Sequence, residues 1–323
     1  MKILITGVSG FIGYHLALKL LKHNFEIIGV DNMNNYYNND LKYDRLKEIE
    51  KISNSNFKFR KVDINDESSI NKIFTENKFD IVIHLAAQAG VRYSIDNPKT
   101  YIDTNIKGFF NVIDASYKSN VDLFLYASSS SVYGLGKELP YNEDSITDKP
   151  ASLYAATKKS TELISHSYSH LYGLKTIGLR FFTVYGPWGR PDMAYYKFAQ
   201  KILSDEPIQI FNNGLNYRDF TYIDDIVDGI EKIINKGLTK QNYSLINIGN
   251  NESVSVEKFI SILEKNLNKE AVKEYVSFQK GDVERTWADI SLIKKHYEYS
   301  PKTSLEEGLK KFCKWYLNYN KIH

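Results

Sequence analysis

The sequence predicts an α/β protein: a doubly wound parallel sheet carrying a smaller α/β lobe. Three observations point there. Short apolar strands alternate with amphipathic segments through the first half, a glycine-rich turn joins the first strand to the first helix, and the alternation breaks between Pro187 and Arg218. Alternating strands and helices imply crossovers between parallel strands, and right-handed crossovers leave few topologies.

Lys2–Ile5 reads as the first strand and Phe11–Lys22 as the first helix. Further strands are expected at Glu26–Asp31, Phe57–Val62, Ile81–Leu85, Leu123–Ser128 and Thr176–Phe181. Amphipathic segments lie between them, near Leu41–Lys51, Ser68–Glu76, Tyr101–Ser119 and Tyr154–Tyr172. Asn32–Asn39 reads as a polar loop. The stretch from Pro187 to Arg218, rich in Gly, Pro, Asn and aromatics, is assigned to the smaller lobe. Leu245–Ile248 returns to the sheet, and helices and short strands complete the chain from Ser255.

The composition narrows the classes. The 323 residues suffice for one large or two modest domains. They include 42 basic and 39 acidic residues, a net charge of +3, which makes no electrostatic case for binding nucleic acid. The single cysteine, Cys313, excludes an intrachain disulfide and a cysteine-based metal cluster, so no metal is expected. No apolar run approaches the ~18 residues of a membrane helix. The apolar start is interrupted by Gly7, Gly10 and Gly13 with no cleavage site after it, so it reads as mature protein. A cytoplasmic enzyme with neither membrane nor nucleic-acid partner is the expectation.

Gly7-Val-Ser-Gly10-Phe-Ile-Gly13 follows the first strand and opens the first helix. A helix N-terminus presents free N–H groups and positive dipole, which suits a pyrophosphate. Glycines permit the tight turn and the close approach of phosphate to backbone. Asp31 ends the second strand, eighteen residues after Gly13. A carboxylate there accepts bonds from the adenosine ribose and repels a 2′-phosphate, so NAD is expected rather than NADP. Asp63 and Ile64, at the end of the third strand, are candidates to hold the adenine, although Asp63 equally suits a strand-terminal turn. Leu85-Ala86-Ala87 offers small residues beside the cofactor.

Tyr154-Ala-Ala-Thr-Lys158 puts a phenol and an ammonium on one helix face. A neighbouring cation favours the phenolate, which gives a general base for an alcohol proton. The spacing alone also fits a solvated helix face.

The glycine turn, His84-Leu-Ala-Ala87, Ser128-Ser-Ser-Ser-Val-Tyr-Gly134, the Tyr154–Lys158 pair and Arg218-Asp-Phe-Thr-Tyr-Ile-Asp224 occur in an order that resembles one family. It is the extended short-chain dehydrogenase/reductases of the NAD-dependent epimerase/dehydratase group that act on nucleotide sugars. The resemblance covers Met1 to about Asp289. It implies a Rossmann-like sheet and NAD as cofactor, and adds Phe11, Ile12, Asn32 and Asn105 to the cofactor contacts. It implies Tyr154 as the base, Lys158 as the group that bridges the nicotinamide ribose and tunes the tyrosine, and Ser129 as the hydrogen-bond partner of the sugar oxygen. Residues 1–179 with about 218–250 would then hold the cofactor, and about 180–217 with 251–323 the nucleotide sugar.

Arg180-Phe-Phe-Thr-Val-Tyr-Gly-Pro-Trp-Gly-Arg-Pro-Asp-Met-Ala194 resembles the corresponding segment of UDP-glucuronate 4-epimerases. Relatives acting on neutral sugars usually carry asparagine at the position of Thr183. Oxidising C4 of a hexuronate creates a ketone β to the C6 carboxylate, and such an acid loses carbon dioxide when the breaking bond aligns with the carbonyl π system. Arg190, with Ser130 and Thr183, would hold the carboxylate out of that alignment by charge-assisted bonds. Arg92 either adds positive potential there or is a solvated or cofactor-side arginine. Ile210 and Phe211 resemble the uracil-binding segment, Arg218 and Arg285 are candidates for the two phosphates, and Asp282 for a ribose hydroxyl.

The expected reaction is therefore redox-neutral 4-epimerisation of UDP-glucuronate to UDP-galacturonate through a transient 4-keto sugar. Rival readings are a UDP-glucose or UDP-N-acetylglucosamine 4-epimerase, a UDP-glucuronate decarboxylase, and a catalytically silent NAD-binding regulator. The resemblance also implies a homodimer, through the helices at Tyr101–Ser119 and Tyr154–Tyr172.

Overall fold

A computed structural model describes residues 1–136, 138–238, 241–278 and 282–322. The first half follows the expected alternation: β1 (Lys2–Thr6), α1 (Phe11–Lys22), β2 (Glu26–Asp31), α2 (Asp40–Ile52), β3 (Phe57–Lys61), α3 (Glu67–Glu76) and β4 (Ile81–His84). After β4 come α4 (Tyr93–Asp96), α5 (Pro98–Ile102), a π-helical turn (Asp103–Gly108) and α6 (Phe109–Lys118). The helix expected at Tyr101–Ser119 is thus interrupted by a wider turn, a feature frequent at functional sites. Then follow β5 (Leu123–Ser129), a 3₁₀ turn (Ser130–Tyr133), α7 (Leu153–Tyr172) and β6 (Thr176–Phe181). Ser152 caps α7 by accepting from Ala155 N, and Gly173 ends it with a φ of 71°.

The remainder comprises β7 (Thr183–Tyr185), α8 (Ala194–Leu203), β8 (Ile208–Phe211), β9 (Tyr217–Arg218), β10 (Phe220–Tyr222), α9 (Ile223–Lys236), β11 (Tyr243–Ile248), β12 (Val254–Ser255), α10 (Val256–Leu267), β13 (Lys273–Val276), α11 (Ser291–Tyr297) and α12 (Leu305–Tyr319). Helix α9 was not anticipated from the sequence. Its signal is plain in retrospect: Ile223, Ile226, Val227, Ile230, Ile233 and Ile234 recur at helical spacing and are all buried.

Seven strands form one parallel sheet in the order β11-β6-β5-β4-β1-β2-β3. Alternation along each strand feeds two cores. Ile3, Ile5, Ile81, Ile83, Leu123 and Leu125 face the cluster that includes α1 and α9. Leu4, Val82, Phe124 and Tyr126 face the cluster that includes α3 and α6. The fold is the expected Rossmann-like α/β sheet. The remaining strands pair in three two-stranded sheets: β7 with β10, β9 with β12, and β8 with β13.

The strand order reverses between β1 and β4, which opens a crevice beyond the carboxyl ends of the strands. Gly7, Asp31, Leu85, Ser129 and Thr183 all lie at or just past such ends.

Candidate active site

The turn after β1 bends at Gly7, whose φ of 73° lies in the left-handed region. A Cβ there would stand 2.7 Å from the Ala86 backbone nitrogen, so only glycine lets this turn press against the turn after β4. At Gly13 a Cβ would collide with the Gly7 carbonyl. Phe11, Ile12 and Gly13 open α1, where backbone N–H groups lack intrahelical partners. The Phe11 side chain is buried in the core, so this residue offers a ligand only its backbone. Asp31 ends β2 and accepts from Ser9 N at 3.2 Å and Met33 N at 2.9 Å. Asn32 donates to Asp63 at 3.0 Å, and Asp63 also accepts from Asn65 N at 2.8 Å. Ile64 is buried and packs against the backbone at Gly108, so it too faces the core. A cradle that a Cβ would fill, an open helix N-terminus and a carboxylate at the tip of β2 together fit a dinucleotide.

Leu85 and Ala86 are fixed by Thr6, which accepts from Leu85 N through its carbonyl at 3.1 Å and from Ala86 N through its hydroxyl at 3.2 Å. Ala87 continues this turn. Asn105, in the π-helical turn, is buried and accepts from Gln88 N at 2.8 Å. Its amide donates to the Gln88 carbonyl and to the Thr157 hydroxyl, both at 3.0 Å. Asn105 therefore joins the turn after β4 to helix α7.

Tyr154, Lys158 and Glu162 occupy one face of α7 at four-residue spacing. Lys158 Nζ donates to the Ala127 carbonyl at 2.7 Å, and Glu162 accepts from the Ser128 hydroxyl at 2.7 Å. These two bonds fasten α7 to the end of β5, beside Ser129. Glu162 also receives both arms of Arg180, at 2.8 and 3.0 Å, with each side chain 1% exposed. Ser129 accepts from Ser131 N at 3.2 Å, and Ser130 begins the following 3₁₀ turn.

Burial pushes the Tyr154 phenol up from its ordinary range, opposed by the Ser129 hydroxyl and the Arg190 charge. The ammonium of Lys158 is committed to a backbone carbonyl, and burial lowers its own pKa to about 8. Spacing brought the two residues onto one face but could not show where Nζ points.

Arg190 follows a loop held by the buried Arg45 and the half-buried His15. Arg45, fully buried on α2, donates to the carbonyls of Ser9 at 2.8 Å, Trp188 at 2.5 Å and Gly189 at 3.1 Å, and to the Tyr37 hydroxyl at 2.9 Å. His15 contacts the Pro187 carbonyl at 2.9 Å; burial lowers its pKa to about 4, so the neutral ring donates. The glycine turn and the Arg190 loop are thus tied together through Arg45. Neither Arg45 nor His15 was picked out by sequence, because nothing in a helix pattern marks a residue whose partners lie over a hundred positions away. The Arg190 guanidinium grips Asp192 by two bonds, at 3.0 and 2.5 Å. Thr183 is half-buried and donates its backbone N–H to the Asp219 carbonyl at 3.0 Å.

Arg92 is left open by the sequence between the carboxylate, the cofactor side and solvent. It lies 4.4 Å over the Phe211 ring, and its charge is felt with those of Asp282 and Arg218. It joins the group expected at the nucleotide rather than the carboxylate. Within that group Arg218 pairs with Asp282 at 2.5 Å, and Arg285 lies 4.3 Å over the Tyr217 ring. Ile210 is buried, whereas Phe211, on the opposite face of β8, is half-buried. The alternation of a strand makes Phe211, not Ile210, the side chain available for stacking.

The model of the NAD dependent epimerase/dehydratase family matches residues 3–249, and the chain belongs to that family. It is a nucleotide-sugar epimerase that uses NAD. It is 48% identical to Protein CapI of Staphylococcus aureus over 99% of this chain and 100% of that protein. It is 45% identical to UDP-glucuronate 4-epimerase 1 of Arabidopsis thaliana, over 99% of this chain and 77% of that one. The crystal structure of UDP-glucuronic acid 4-epimerase from Bacillus cereus, in complex with UDP-glucuronic acid and NAD, superposes with a TM-score of 0.91. That structure is 37% identical and covers 99% of this chain and 100% of its own.

Proposed function

We propose that the protein is a UDP-glucuronate 4-epimerase, converting UDP-glucuronate to UDP-galacturonate without loss of carbon dioxide. The observation that carries this reading is Arg190, a cation held by two bonds from its side chain to Asp192 in the loop that follows β7. A neutral hydroxymethyl group at C6 has no use for it. A carboxylate does. The relatives named for UDP-glucuronate, and the Bacillus cereus complex with that sugar, support the same assignment.

When bound, NAD would supply the acceptor and donor of the C4 hydride that epimerisation needs. Its phosphates would rest on Gly7, Gly10 and the start of α1, and its adenosine ribose on Asp31. Tyr154 takes the C4 hydroxyl proton and later gives it back, with Ser129 bonding the same sugar oxygen. Lys158, neutral or charged near its pKa of about 8, would move from the Ala127 carbonyl to the nicotinamide ribose. Arg190, Ser130 and Thr183 hold the C6 carboxylate. Phe211 stacks on the uracil, and Arg92, Arg218, Arg285 and Asp282 meet the diphosphate and its ribose. In this reading residues 1–179 with about 218–250 serve the cofactor, and about 180–217 with 251–323 the sugar nucleotide.

A homodimer is part of the proposal. Phe110 on α6, Ile102 on α5, and Leu163, Leu171 and Tyr172 on α7 are large apolar side chains left exposed on neighbouring helices. A monomer in sedimentation at micromolar protein would exclude it.

The test of the reaction is to incubate the purified protein with UDP-glucuronate, without added NAD, and identify the products by NMR. UDP-galacturonate supports the assignment. UDP-xylose, or no reaction, overturns it.

A further inference from the structure

Arg190 does not lie free beside the base. Its Nε donates to Asp192 Oδ1 at 3.0 Å and its Nη2 to Asp192 Oδ2 at 2.5 Å, one side edge of the guanidinium matched by both carboxylate oxygens. Tyr36, from the loop between β2 and α2, donates its hydroxyl to Asp192 Oδ2 at 3.2 Å. Burial pushes the Tyr36 phenol up, so it stays protonated and remains a donor. Burial also acts to raise the Asp192 carboxyl, but the charge and bonds of Arg190 overcome it and hold the group below its usual range. Tyr36 itself packs edge-on to Tyr93, with centroids 4.9 Å apart. A polar loop that reads as an unremarked connection thus reaches across to the partner of Arg190.

The geometry leaves a specific remainder. A guanidinium has five N–H donors in a planar fork. Asp192 takes two of them, and among the described residues no other side chain bonds this fork. The Nη1–Nη2 edge is left, and it too can receive a carboxylate at two points. The loop backbone is pinned separately by Arg45 and His15, so main chain and side chain of Arg190 have independent anchors.

We propose that Asp192, with Tyr36 behind it, is the positioning residue for Arg190, fixing the plane in which its open edge meets the substrate carboxylate. This deepens the uronate reading above and rests on it. In the 4-keto intermediate, carbon dioxide leaves when the C5–C6 bond breaks and its electron pair enters the ketone as an enolate, which then takes up a proton at C5. The bond breaks readily only when it stands perpendicular to the carbonyl plane. Without Asp192 the arginine attracts a carboxylate at least as strongly, since a neighbouring negative charge is gone, but holds it less exactly in plane. Asp192 therefore acts on geometry rather than on affinity.

The experiment compares wild type, Asp192→Ala, Asp192→Asn and Tyr36→Phe with UDP-glucuronate, measuring kcat, KM, UDP-pentose formation and bound NAD. For Asp192→Ala, kcat for epimerisation is expected to fall about ten- to hundredfold, the scale of a misplaced reacting group, with KM not raised and bound NAD retained. UDP-pentose appears as a product. Asp192→Asn, which keeps one acceptor, recovers part of kcat. Tyr36→Phe shifts the product ratio in the same direction by less, and carries the test if Asp192→Ala does not fold. Wild-type kcat with no UDP-pentose in these variants overturns the proposal. So does a loss of kcat accompanied by raised KM and lost NAD, which marks a purely structural role. If the wild type itself does not turn over UDP-glucuronate, the uronate reading falls and takes this proposal with it; if it does and the variants behave like it, only the proposal falls.

Discussion

Arg180 and Glu162 form a two-point ion pair, 2.8 and 3.0 Å long, with each side chain 1% exposed. It lies directly beneath the serines that end β5, since Glu162 also accepts from Ser128 at 2.7 Å. Arg180 continues to the Tyr133 hydroxyl at 3.0 Å, and Tyr133 donates to Asn247 at 2.6 Å. Three sheet strands and the helix bearing Tyr154 are thereby locked together. Removing one partner of a buried pair strands the other charge. Glu162→Gln is expected to destabilise the protein by about 3–5 kcal/mol, read from urea unfolding. A midpoint within error of wild type would show that the pair does not hold the site together.

Tyr154→Phe removes only a hydroxyl and keeps the ring that packs edge-on to Tyr101 at 6.1 Å. Bound NAD and the melting temperature should be unchanged. Turnover of UDP-glucuronate should fall by about 10²–10⁴, the contribution of a general acid–base group. Near-normal turnover would remove Tyr154 from the chemistry.

Asp219, fully buried after β9, accepts from Asn250 N at 2.7 Å, Ala288 N at 3.1 Å and the Thr221 hydroxyl at 3.1 Å. It ties the start of β10 to the loops after β11 and before α11. Asp219→Ala leaves these donors unpaired, each at about 1–3 kcal/mol, and calorimetry should show a loss of about 3 kcal/mol or more. The exposed Asp224 serves as control, with a far smaller expected effect.

Glu143 supplies a pH dependence. Burial raises its carboxyl from 4.5 to about 7, against the hydrogen bond it accepts from Asn247 N. A carboxyl raised in the folded state contributes stability that is complete below about 4.5 and lost as pH rises towards about 7. Wild type should therefore lose melting temperature relative to Glu143→Gln across that interval. Parallel curves for the two proteins would contradict the shift.

Much of the fold was legible because its signals are local. Phe11–Lys22 matches the helix read from periodicity residue for residue, and Glu26–Asp31 and Thr176–Phe181 match their strands. The glycine turn was legible because a tight turn and close approach demand glycine at Gly7 and Gly13. The π-helical turn at Asp103–Gly108 was not, since its amphipathic pattern continues through it and the wider turn is set by packing on Ile64 and Thr157.

The site divides in the same way. The sequence alone determined which chemical groups are present and roughly where the chain delivers them: Asp31, Ser129, Tyr154, Lys158 and Arg190 follow strand ends or helix starts whose positions are local consequences of sequence. Only the tertiary structure decided what those groups touch. It turned Lys158 to Ala127, moved Arg92 over Phe211, set Arg45 between two loops, and closed Arg190 onto Asp192 with Tyr36 behind it. Those outcomes depend on side-chain directions and on partners distant in sequence, which are fixed only when the sheet closes and packing selects one rotamer for each.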